Sequence, residues 1–165
     1  MSPWQTIETT LISEFSDLTE VDHATRVCIR LLLAALLGGM LGYERETHGH
    51  AAGLRTHMLV AIGSALFVLV PELANAGHDA ISRVFQGIIT GIGFLGAGTI
   101  LKGDRVSQVR GLTTAAGIWL TAAIGITVGF GQEATAVLGT LLALFVLNVV
   151  PHVIDRLQAR KNSPR

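Results

Sequence analysis

The chain has 165 residues, of which 50% are hydrophobic and 15% charged, and its formal net charge is zero. Soluble domains carry roughly 25% charged residues, so this deficit, with a mean hydropathy of +0.54 and several long apolar runs, excludes an ordinary soluble core and points to a polytopic membrane protein. A zero net charge leaves no electrostatic footprint for a nucleic-acid partner.

Residues 1–22 place Trp4, Ile7, Leu11, Phe15 and Leu18 at three- and four-residue steps, with Glu8, Glu14 and Asp17 largely between them. The pattern predicts a short amphipathic helix, too polar to span, lying at the membrane surface. These residues contain no Lys or Arg and no central apolar block, so no cleavable signal peptide is expected. Residues 23–154 read as an all-α transmembrane domain of five helices, at 24–43, 56–73, 83–101, 112–130 and 134–154. Residues 155–165 form a basic tail suited to anionic lipid. Cys28 sits in the first apolar run and reads as a small buried hydrophobe.

Around the third span, 86–101 has no charged residue and is punctuated by Gly87, Gly91, Gly93, Gly96 and Gly98. It is one membrane helix or two half-helices. Gly91-Ile-Gly93-Phe-Leu-Gly96 satisfies G-x-G-x-x-G, but that fingerprint has meaning only between a strand and a helix. Three Gly-x-x-x-Gly faces are legible, Gly38/Gly42, Gly87/Gly91 and Gly125/Gly129, and such faces let helix backbones approach closely. Three faces exceed the needs of a five-helix monomer, so a homo-oligomer is expected, a two-fold dimer being simplest. The connection at 131–133 is tight and makes the last two helices an antiparallel pair.

The connections set the orientation. Arg45, Arg55, Lys102, Arg105, Arg110, Arg156, Arg160, Lys161 and Arg165 fall on one side, against Arg26, Arg30 and Arg83 on the other. The excess marks the cytoplasmic face, which places the N-terminus outside and the C-terminus in the cytoplasm.

The most polar internal stretch is the first cytoplasmic loop, 43–57, with Glu44, Glu46, His48, His50 and His57. His48-x-His50 is a sparse transition-metal pattern with no thiolate near it. Mg²⁺ asks only for one or two carboxylates and retained waters, and Glu44, Glu46 and Asp104 are weak candidates for it. No cofactor is required by any motif. Gly53-Leu-Arg55-Thr56 and Gly111-Leu-Thr113-Thr114 open two parallel helices in similar ways, each with a Thr placed to cap. With Arg55 and Arg110 alongside, these two N-termini form a candidate anion site; the alternative is that Arg45, Arg55 and Arg110 pair with Glu44, Glu46 and Asp104, or face lipid phosphates. On the outer side, Arg30 is too deep to snorkel easily and is expected to join Glu72, Asp79 and Arg83. No catalytic triad, thiolate–His pair or phosphate loop can be placed, so the protein is not read as an enzyme.

In order and spacing, five blocks resemble the MgtC/SapB membrane proteins: Gly38-x-x-x-Gly42-Tyr-Glu-Arg-Glu46, Ala52-Gly-Leu-Arg-Thr-His57, Asp79 with Arg83, Gly91-Ile-Gly-Phe-Leu-Gly-Ala-Gly-Thr-Ile100, and Arg110-Gly-Leu-Thr-Thr-Ala-Ala116 leading to Trp119. The resemblance implies a bacterial inner-membrane protein linked to survival in low Mg²⁺ and, in pathogens, inside host cells. It also implies a role as accessory or regulator of other membrane machinery, such as the proton-driven ATP synthase or a cation transporter. The family's shared polar positions fall here on Glu44, Arg45, Arg55, Thr56, His57, Asp79, Arg83, Arg110, Thr113 and Thr114. Many members of that family append a soluble C-terminal domain, whereas here only 155–165 follow the fifth span. The competing expectation from the residues alone is a small homo-oligomeric transporter or channel for an ion or anionic solute, built on a glycine-broken third helix.

Overall fold

The structure, a computed structural model, describes residues 2–16, 20–102 and 109–161. Within them the chain is helical apart from one pair of two-residue strands. Helix α1, Pro3–Glu14, opens on a capping box: the Ser2 hydroxyl accepts from Gln5 N–H at 3.4 Å, and Gln5 Oε1 accepts from Ser2 N–H at 2.9 Å. None of its residues is buried. Asp17 and Leu18 of the amphipathic pattern lie outside the described residues.

Five helices long and apolar enough to cross a membrane follow: α2 Val21–Thr47, α3 Leu54–Leu73, α4 His78–Gly98, α5 Leu112–Gly129, and α6 Glu133–Lys161, whose apolar part is Glu133–Ile154. Arg30 near the start of α2 meets the ends of α3 and α5 and the start of α6, so neighbouring helices alternate in direction. Helix α5 touches α2, α3, α4 and α6, and α3 packs most extensively on α2 and α5.

Glycine makes that centre possible. A Cβ on Gly38 or Gly42 of α2 would lie 2.7 Å from the His57 carbonyl oxygen or the Leu54 Cα of α3. On the opposite side of α3, a Cβ on Gly125 or Gly129 of α5 would lie 2.4 or 2.5 Å from the carbonyl oxygens of Ala61 and Ala65. Lipid tails are as apolar as leucine, so close van der Waals contact rather than water exclusion holds such helices together. Ala34, Leu37, Leu41, Ala61, Ala65, Ile124 and Val128 fill the interior, while Leu32, Leu36, Phe67, Phe94, Leu138 and Phe145 point outward.

Several sequence expectations need correcting. Helix α2 runs to Thr47, so Glu44, Arg45 and Glu46 belong to its last turns and not to a loop; their charges are satisfied locally, and the Thr47 hydroxyl donates to Glu44 O at 2.9 Å. Helix α4 is one uninterrupted helix that starts five residues before 83, with Asp79 in its first turn, where a carboxylate suits the helix dipole. Among the described residues, a Cβ on only one of its five glycines, Gly96, would approach a neighbour, the Ala115 Cβ at 3.6 Å; on Gly87, Gly91, Gly93 or Gly98 it would meet nothing within 4 Å. Gly87 and Gly91 border an apolar groove of about 540 Å³ between α3 and α4, with Val60, Gly63 and Phe67 on its other wall. Cys28 is exposed on the outer face of α2, not buried. Between α4 and α5, β1 Leu101–Lys102 pairs with antiparallel β2 Val109–Arg110. Gly111 then takes φ 93° to start α5, and a Cβ there would meet the Thr99 carbonyl at 2.0 Å. The basic residues expected in a tail continue α6 to Lys161.

Gly125→Ala drives a methyl into the Ala61 carbonyl and is expected to lower the unfolding free energy by about 1–3 kcal/mol. Gly87→Ala meets open space and is expected to leave stability unchanged or raise it by about 0.5–1 kcal/mol through helix propensity. Reversible unfolding in mixed micelles measures both, and equal effects would contradict the α3–α5 approach.

Candidate functional site

Polar side chains gather at both ends of the bundle. At one end Arg30 is only 7% exposed. Its Nη1 donates to Glu72 Oε2 at 2.9 Å and to the Gly129 carbonyl at 3.0 Å, and its Nε lies 3.4 Å from Glu133 Oε1. Four helices therefore converge on one guanidinium. Gly131 turns the chain between α5 and α6 at φ 80°, and any Cβ there would strike Arg30 Nη2. A buried cation is tolerated because carboxylates and a carbonyl surround it. Of the residues expected around Arg30, Glu72 is present, but Asp79 and Arg83 on α4 stand exposed and apart from it. Arg26 pairs on the surface with Asp22 at 3.0 Å. Glu133 was not anticipated; an acid in the first turn of a helix starting at the Arg30 end was the available signal.

At the other end, Glu44 and Arg45 are 6% and 4% exposed, and His57 is fully buried. Arg45 Nε donates to Glu44 Oε2, and Arg45 Nη2 donates to Glu44 Oε1 at 2.7 Å. His57 Nδ1 lies 3.0 Å from the Gly53 carbonyl, which can only accept, so Nδ1 carries the hydrogen. His57 Nε2 is buried and has no hydrogen-bond partner among the described residues. Arg45 and His57 line a cavity of about 450 Å³ with Leu41 of α2, Thr113 and Gly117 of α5 and Gly139 of α6.

The helical period splits the rest of the expected cluster. Thr114 is buried, whereas Arg55, Thr56, Arg110 and Thr113 are exposed, so Arg55 and Arg110 stand outside the Glu44–Arg45–His57 layer. Neither Thr56 nor Thr114 caps its helix. The caps are Gly53 and Gly111, and the first N–H of α3, on Leu54, is taken by Glu46 Oε2 at 2.7 Å. The protein's own carboxylate thus occupies the α3 terminus where an external anion was expected.

The metal candidates are committed in the same way: Glu44 holds Arg45, Glu46 caps α3, and Asp104 lies outside the described residues. His48 Nδ1 is 2.8 Å from the Glu44 carbonyl. Among the described residues no three of His, Cys, Asp and Glu converge on one point. Partial burial and the nearby Arg45 charge hold the His50 ring below the ordinary imidazole range. Its neutral form is favoured in the fold, so its contribution to stability is present above the unfolded value and is lost as pH falls.

A buried Glu–Arg pair closes α2, and Gly53-Leu-Arg-Thr-His57 opens α3 beside it. The MgtC family profile matches residues 31–156, from α2 into the end of α6. The chain belongs to the MgtC family. It is 44% identical over 137 residues to YhiD of Escherichia coli strain K12, covering 78% of this chain and 62% of that protein. To SrpB of Synechococcus elongatus it is 47% identical over 130 residues, 72% of this chain and 71% of that one. To MgtC of Brucella abortus strain 2308 it is 45% identical over 113 residues, 68% of this chain and 46% of that one. The chain therefore spans less than two thirds of YhiD and under half of that MgtC. No solved structure matches it. The match within the MgtC family takes in the whole His57 layer and, at the other end, Glu72 and Glu133.

Arg30→Met strands two carboxylates and is expected to cost about 3–5 kcal/mol of stability, part of which the double change Arg30→Met, Glu72→Gln restores. Arg55→Ala, at an exposed position, is expected to stay within about 0.5 kcal/mol of the parent. Thermal unfolding of the purified variants measures all three; a large Arg55 effect would place that residue in the structural layer.

Proposed function

We propose that this protein is a multi-pass protein of the bacterial inner membrane that serves Mg²⁺ homeostasis as an accessory or regulator of other membrane machinery. The observation that carries this reading is the closed interior between the two polar layers. Ala34, Ala61, Ala65 and Val128 have no exposed surface, and Leu37, Leu41 and Ile124 are at most 3% exposed. The buried hydroxyls of Thr121 and Thr140 turn back on their own helices at 2.8 and 2.9 Å. A cation crossing that layer would lose its hydration with nothing to replace it. Family membership supports the magnesium connection, as does YhiD, whose name refers to magnesium transport. The basic connections support a cytoplasmic His57 end. Suitable partners are an ATP synthase, a cation transporter or a second copy of this chain.

One observation favours the second reading, a small homo-oligomeric transporter. The open glycine face of α4 offers a second copy close backbone approach, and a path for an ion or anionic solute could form between protomers.

Flux separates the two. Purified protein in lipid vesicles is expected to carry no more Mg²⁺ or phosphate than empty vesicles, while the same gene restores growth of its own deletion strain in low Mg²⁺. Saturable flux of either ion would overturn the accessory reading.

A further inference from the structure

We propose that the cavity beneath His57 binds a long-chain carboxylic acid, with the carboxyl group held between His57 and Arg45 and the alkyl chain lying along α5 and α6. The inference goes beyond the accessory role and does not depend on it. It starts from an imbalance. His57 is completely buried, its Nδ1–H is used by the Gly53 carbonyl, and its Nε2 lone pair has no donor among the described residues. A buried polar atom with no partner costs roughly 1–3 kcal/mol, and the residue that carries this one borders a cavity of about 450 Å³, well within the size range of small-molecule sites.

The chemistry of the lining narrows the occupant. Glu44 engages Arg45 through Nε and Nη2, and Arg45 and Thr113 are, with His57, the polar side chains of the cavity wall. His57, which borders the same cavity, carries an acceptor, Nε2. A carboxylic acid supplies both complements: its carbonyl oxygen accepts from Arg45, and its O–H donates to Nε2. If the proton passes to the imidazole, the product is a carboxylate between a guanidinium and an imidazolium, and every group is again satisfied. An inorganic cation fits poorly, because a single imidazole beside an arginine is neither a full ligand set nor a negative one.

The remainder of the cavity asks for an alkyl chain. Leu120, Leu142, Ala143, Val146 and Leu147 form its walls, and Leu142 and Val146 are exposed on the outer surface of α6, so the site opens sideways toward lipid. At Gly139 a Cβ would meet nothing within 4 Å, which leaves room for a chain at the point where α6 faces α5. A molecule entering from the bilayer would not need to expose its tail to water.

The test uses the full chain in phosphatidylcholine nanodiscs, with radiolabelled hexadecanoic acid as probe and empty nanodiscs as blank. Saturable binding above the blank is expected, displaced by unlabelled acid and at least tenfold less well by its methyl ester, which lacks the donor. Gly139→Leu fills the cavity with a good helix former and is expected to weaken binding at least tenfold without lowering the melting temperature. Ala116→Leu, which fills the same cavity from α5, serves as a second filler. His57→Asn retains a donor for the Gly53 carbonyl, removes Nε2, and is expected to weaken binding by a similar factor. Binding no greater than the blank, equal displacement by the ester, or unchanged affinity in folded Gly139→Leu and Ala116→Leu would each overturn the proposal.

Discussion

The structure depends on how closely α3 is gripped by its neighbours. Gly38 and Gly42 press on one side of it, Gly125 and Gly129 on the other, and at all four positions even a methyl group would enter the backbone of α3. In a bilayer this grip replaces the hydrophobic effect as the source of helix association, because it gains van der Waals contact that lipid tails cannot match. Ala61 is the shared contact, its Cβ facing Gly38 and its carbonyl facing Gly125. Where α3 sits decides where His57 and Glu72 sit, and hence where both polar layers form.

Those layers solve one problem in two ways. At the Arg30 end a single cation on α2 is shared among side chains and backbone from three other helices, so it ties together elements far apart in sequence. At the His57 end the ion pair is made between adjacent residues, Glu44 and Arg45, and consumes no partner from another helix. The first arrangement is a tie. The second leaves the buried acceptor His57 Nε2 without a partner among the described residues, in a residue that borders a cavity.

Helix α4 stands apart from this scheme. It buries few residues, leaves four glycines without a neighbour, and borders a groove on α3. The three glycine faces legible in the chain are thus unequal: two are spent inside the protomer and the third is open. An accessory protein needs a surface of that kind for a membrane partner, as an oligomer does for a second copy.

The sequence by itself determined the number and placement of the five long apolar helices, the short polar helix before them, and membership of the MgtC family. Hydrophobic run length and ordered motifs are local properties, and they survive without coordinates. It also marked Arg30 as a charge within an apolar span, and Glu44, Arg45 and His57 as polar positions of a cytoplasmic connection. Only the tertiary structure separated His57 from Arg55 and Thr56. These are near neighbours on one helix, and the rotation of α3 against α2 and α5 buries one and exposes the others. It likewise brought Glu133 to Arg30 across a hundred residues, set Glu46 as the cap of α3 where Thr56 was expected, and showed which glycines are in contact. A Gly-x-x-x-Gly spacing states that a backbone can be approached closely; whether a neighbour does so is decided by helix rotation and crossing, which no local pattern encodes.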